Sequence, residues 1–162
     1  MRKIAKGTRS FVFDQPVSED EILNLAKEIA MARLARAGPK ISSSQLAKDF
    51  LSHLIGNDER EVYAIIYLDI RQRIIAYEEV FRGTISSTVV YPREIVIRAL
   101  FHNAAAVILA HNHPSGDPAP SSNDHLITTH VKDALALVQT RLLDHLILAG
   151  SSWISFGDSG LL

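Results

Sequence analysis

The chain has 162 residues, 47% hydrophobic and 22% charged, a composition that fits one folded domain with a sizeable core and excludes a disordered chain. Seventeen Lys and Arg against eighteen Asp and Glu leave a formal charge of -1, so no overall field draws the chain toward nucleic acid phosphates. With no cysteine, disulfides, thiolate metal sites and cysteine nucleophiles are all excluded, and any bound metal must rely on histidine and carboxylate.

The first ten residues carry Arg2, Lys3, Lys6 and Arg9 and lack the apolar run of a signal peptide. No stretch is long and apolar enough to span a membrane, so a cytoplasmic protein is the expectation. Ser18-Glu19-Asp20-Glu21 reads as a capping box, and Ile22, Leu25, Ala26, Ile29, Ala30 and Leu34 recur at helical spacing. The pattern predicts a helix over 19–37, stopped by Gly38-Pro39, with Lys27, Arg33, Arg36 and Lys40 as solvated charges. A second helix is expected to open at Ser43 or Ser44 and run through Leu46, Phe50, Leu51 and Leu54 to Gly56. Residues 1–57 therefore read as an N-terminal helical extension, and 58–162 as the main domain.

Val62 to Leu68 is a nearly unbroken apolar run with β-branched and aromatic residues, the pattern of a buried strand. Residues 73–81 look like its hairpin partner, with Asp69-Ile70-Arg71-Gln72 as the turn. Pro92 opens a helix that is predicted to turn Ile95, Val96, Ala99 and Leu100 inward and to stop at Asn103. Residues 104–110 read as a central strand, apolar on both faces. A helix from Ser121 or Ser122, burying Ile127, Val131, Ala134, Leu135 and Val138, is followed by two short strands over 146–149 and 153–156. The order of elements implies an α/β sandwich with a mixed β-sheet flanked by helices.

The chemistry is concentrated between the central strand and the helix after it. His111 and His113 stand two apart, so in extended backbone their side chains share one face and can reach a common ion. Pro114 restrains His113, and the stiff loop with Gly116, Pro118 and Pro120 brings back Asp124 in the first helical turn. Two imidazoles and a carboxylate on zinc leave one tetrahedral position for water, the layout of a catalytic rather than a structural site. Ser121 with Asp124 also has the spacing of a helix capping box, and Asp117 beside Gly116 has the chemistry of a turn. The other histidines, His53, His102, His125, His130 and His145, are assigned no role.

His111-x-His113-Pro114, six residues, and then Ser121-x-x-Asp124 resembles the JAMM (JAB/MPN) metalloprotease signature. Phe81-Arg82-Gly83-Thr84, Val90-Tyr91-Pro92-Arg93-Glu94, the run 103–120 and Asp144-His145 are closer still to the RadC family, a likeness that covers about residues 58–162. Asn112 stands where JAMM proteases usually carry serine or threonine, as is common in the RadC branch. The resemblance implies a cytidine-deaminase-like (JAB/MPN) sandwich with zinc on His111, His113 and Asp124, and a zinc-dependent hydrolase acting on a peptide or protein. It also implies a hydrogen bond from Ser121 near the water or oxyanion, and a glutamate general base just before the first strand of the domain, here Glu61. Glu78 and Glu79 on the next strand are rival bases, since alternation turns one of them inward. A DNA-repair accessory with a structural metal and a metal-dependent nuclease are the alternative functions. A deaminase would need the cysteine ligands that this chain lacks.

Overall fold

The computed structural model describes residues 2–4, 10–13, 15–34, 38–56, 58–83 and 90–162. Lys6, Arg9, Arg36, Thr84 and the last turn of the expected first helix, 35–37, lie outside these residues. Near the N-terminus β1 (Arg2–Ile4) and β2 (Ser10–Val12) form an antiparallel pair within the stretch read as helical. Three-residue strands are too short for an alternating pattern to register in sequence.

The predicted capping box opens α1 (Glu19–Leu34), with the Ser18 amide donating to Glu21 Oε2 at 2.8 Å and the Glu21 amide donating to Ser18 Oγ at 3.3 Å. Ser43 caps α2 (Ser44–Ser52) by accepting from the Leu46 amide at 3.3 Å. This helix ends before Gly56, in turns over 53–56. Next come β3 (Val62–Leu68), β4 (Ile74–Arg82), α3 (Pro92–Phe101), β5 (Ala106–Asn112), α4 (Ser122–Ala136), β6 (Arg141–Ala149) and β7 (Ser152–Ser155).

The five later strands form one mixed sheet in the order β4-β3-β5-β6-β7. Antiparallel pairs join β4 to β3, β3 to β5 and β6 to β7, whereas β5 and β6 run parallel. A parallel pair needs a crossover, and α4 supplies it. With β5 in the middle, all seven of its residues are buried. Ala106, Ile108 and Ala110 join the core with α2, and Val107 and Leu109 join the core with α3 and α4 on the other face. The architecture is the expected α/β sandwich.

Several boundaries differ from those read in sequence. The central strand starts at Ala106, and β6 starts at Arg141 rather than near 146, because the buried Asp144 and His145 interrupt its apolar run. Leu100 is 55% exposed, since the buried stripe of α3 is Ile95 and Ala99, four residues apart. Among the described residues no helix is long and apolar enough to cross a membrane.

Helix α2 is part of the same core as the sheet. Leu51 is fully buried and clusters with Ala47, Leu54, Ile55 and the α2-side residues of β3 and β5. Leu51→Ala is expected to cost about 2–5 kcal/mol. Urea unfolding should show this as a lower midpoint with an unchanged slope. A loss near zero would mean that α2 is only loosely attached.

Candidate metal centre

The site lies where β5 runs out into the loop before α4. Register places His111 directly opposite Tyr63 of β3, and the two rings stack with centroids 5.1 Å apart and planes 7° apart. Two residues on, the His113 amide donates to the Leu148 carbonyl at 2.7 Å and prolongs the ladder to β6. The chain then turns, with Gly116 donating to the His113 carbonyl at 3.1 Å from a φ of 81°, a conformation in which a side chain would be strained. His113 Nδ1 donates to the Asp117 carbonyl at 2.7 Å. A carbonyl only accepts, so Nδ1 carries the proton and Nε2 presents its lone pair inward.

At the start of α4, Ser121 and Asp124 form the capping box that their spacing predicts. Ser121 is the N-cap, accepting from the Asp124 amide at 3.2 Å. The Ser121 amide and hydroxyl in turn donate to Asp124 Oδ2 at 2.7 and 2.6 Å. The capping box thereby fixes the carboxylate and leaves Oδ1 toward His111. His111 Nε2 stands 3.0 Å from His113 Nε2 and 3.2 Å from Asp124 Oδ1, and His113 Nε2 stands 3.7 Å from Oδ2.

These spacings fit one small cation. Bonds of about 2.0–2.1 Å to a tetrahedral ion place its donors about 3.3 Å apart. Among the described residues no other trio of His, Asp or Glu side chains converges in this way. The electrostatics agree. Burial works to raise Asp124, but His111, His113 and Ser121 prevail and hold it well below the usual carboxylate range. The neighbouring Asp124 carboxylate raises His113 against the opposing effect of burial. The pocket therefore favours positive charge at the place where the three side chains meet.

Glu61 precedes β3, and alternation puts it on the face of Tyr63, one step further toward His113. Burial raises its carboxyl, with His111, Asp124 and His113 all acting on it. Glu78 is held elsewhere, by Arg98 at 2.7 Å and His102 at 2.8 Å. Burial works to raise Glu78, but these two partners lower it overall. Glu79 pairs with Arg82 and accepts from the Tyr77 hydroxyl at 3.2 Å. Of the three glutamates, Glu61 is the one that the ligand cluster acts on.

Sequence reasoning missed two contributors. Asn112, turned away from the cluster, accepts from the Val62 amide at 2.8 Å and donates to the Asp58 and Arg60 carbonyls at 2.9 and 3.0 Å. It thus ties down the segment that carries Glu61. His145, fully buried on β6, places Nε2 at 2.9 Å from His111 Nδ1 and 2.9 Å from the Tyr63 hydroxyl. Burial keeps His145 well below and Tyr63 well above their ordinary values, so both are neutral. The one hint in sequence was an Asp-His pair inside an apolar strand.

The RadC-like JAB domain family matches residues 41–161. The chain belongs to the RadC family. Its relatives include UPF0758 proteins of Thiobacillus denitrificans, 49% identical over 144 residues, and of Janthinobacterium sp., 46% identical over 141. Each alignment covers 87% of this chain, but only 64% and 62% of the respective relative. The RadC-like chain thus spans under two thirds of the length of these relatives, whose names state no activity. The family match begins ahead of α2, in keeping with the place of that helix in the core.

Asn112→Ala would leave the buried Val62 amide without its acceptor, at a cost of about 1–3 kcal/mol. Amide hydrogen exchange should accelerate over 58–62 more than in β5 itself. Equal protection in variant and parent would show that other contacts hold the segment.

Proposed function

We propose that this RadC-like domain is a zinc-dependent hydrolase of the metallopeptidase type, acting on a peptide or protein. The observation that carries the reading is the convergence of His111 Nε2, His113 Nε2 and the Asp124 carboxylate, with Glu61 under the influence of all three residues. Three protein ligands leave a tetrahedral ion one position for solvent. Bound there, zinc would supply Lewis acidity and lower the pKa of water from 15.7 to about 7.

The remaining work falls to the chain itself. Burial raises the Glu61 carboxyl, which suits a carboxylate that takes a proton from the attacking water and passes it to the leaving amine. The Ser121 amide keeps Asp124 Oδ2 in place, leaving the Ser121 hydroxyl able to turn toward the developing oxyanion. Stacking on Tyr63 and burial in β5 fix the His111 ring. A ring fixed in this way acts without reorganisation during the reaction.

His113→Ala should abolish stoichiometric zinc, measured by elemental analysis of the purified protein. A variant that keeps one equivalent would refute the ligand assignment. Glu61→Gln should retain zinc but lose about 10²–10⁴-fold in the rate of peptide-bond cleavage, assayed on a fluorogenic peptide library. Undiminished cleavage by this variant would remove Glu61 from the reaction.

A further inference from the structure

His145 touches no ligand-binding space, yet it joins two of the three ligands. The direction of every hydrogen bond around it follows from one atom that can only accept. Thr128 Oγ1 is in short contact with the Asp124 backbone carbonyl, one helical turn back, and donates its single proton there. The same oxygen lies 2.6 Å from His145 Nδ1 and must therefore accept, so Nδ1 carries the proton of the His145 ring. Nε2 of a neutral imidazole protonated at Nδ1 is a lone pair. It faces His111 Nδ1 and the Tyr63 hydroxyl, both at 2.9 Å, and the two donors share that one lone pair. His111 is consequently protonated at Nδ1, and its own lone pair resides on Nε2, the atom 3.0 Å from His113 Nε2 and 3.2 Å from Asp124 Oδ1.

We infer that His145 is a positioning residue that sets the tautomer of His111, with Thr128 as the element that sets the tautomer of His145. The run from the Asp124 carbonyl through Thr128 and His145 to His111 makes a ligand's own backbone dictate which nitrogen of another ligand binds the cation. Reversing any one link would put a proton on His111 Nε2, where a cation cannot bind. The inference rests on the metal-binding reading above and adds to it the groups that prepare the ligand. Such outer partners change metal affinity by about 10–100-fold when removed.

The test uses the full chain, stripped of metal and titrated with Co²⁺ against a chromophoric chelator, with the visible absorption of the bound ion as a second readout. His145→Leu should weaken Co²⁺ by about 10–100-fold and alter its spectrum. His145→Gln, whose amide oxygen can accept at the Nε2 position, should recover most of the affinity. Thr128→Val keeps the side-chain shape and touches no ligand side chain, so it carries the test even if His145→Leu does not fold. It should weaken Co²⁺ in the same direction. Long-range ¹H–¹⁵N correlations of the imidazoles should show His111 protonated at Nδ1 in the parent and a mixture of tautomers in Thr128→Val. Parent-like affinity and spectra in both Thr128→Val and His145→Leu would overturn the inference, as would a parent His111 protonated at Nε2. A parent that takes up no Co²⁺ would instead sink the metal-binding reading. The tautomer measured in that metal-free protein would still decide this one, Nδ1–H upholding it and Nε2–H overturning it.

Discussion

Electron-rich atoms repel one another, and the frame around His111, His113 and Asp124 keeps two imidazole nitrogens 3.0 Å apart, with the carboxylate oxygens 3.2 Å from one and 3.7 Å from the other. Left to solvent, such groups would rotate apart. Here each is held by bonds that point it inward: His113 by the Asp117 carbonyl, Asp124 by the reciprocal cap with Ser121, and His111 by His145 and the Tyr63 ring. A positive charge placed among them relieves the strain of that arrangement. The helix cap in particular serves two purposes, since the bonds that satisfy the first amides of α4 also orient the Asp124 carboxylate toward His111.

Polar residues within the sheet have separate duties on its two faces. Asp144 and His145 are consecutive on β6 and therefore point opposite ways. Asp144 accepts from Ser155 Oγ at 2.7 Å and from the Gly157 amide at 2.9 Å, fastening the turn after β7. A Cβ at Gly157 would lie 3.3 Å from Asp144 Oδ1, a close approach that glycine permits. His145 faces α4 and completes the surroundings of His111. Asn112 performs a similar service on β5, where its amide stands in for backbone and extends pairing past the end of the strand to 58–62.

What could be read in the chain divides by distance along it. Val62 to Leu68 was plain because a strand buried on both faces needs an uninterrupted apolar run, and all seven of its residues are buried. The His111, His113 and Asp124 cluster was equally plain, since strand alternation, a proline-bearing loop and a helix cap are all local patterns. His145 was illegible because its meeting with His111 depends on the parallel register of β5 and β6, across 34 residues. The bonds of Asn112 to 58–62 depend likewise on the pairing of β3 with β5. Alternation could say that one of Glu78 and Glu79 points inward, but not that Arg98 and His102 would already hold Glu78.

The short segment that closes between His113 and Asp124 has a bearing on assembly. Bringing nearby groups together costs little chain entropy, and the cost rises with the length of the loop being closed. His113 and Asp124 are therefore brought near one another at little entropic cost once β5 and the first turn of α4 take shape. Tyr63 and His145, which hold the His111 ring, and Glu61 ahead of β3 come from further strands and arrive only when the sheet is whole. The stretch between His113 and Asp124 is thus a local closure, whereas the setting of the His111 ring waits for the complete sheet.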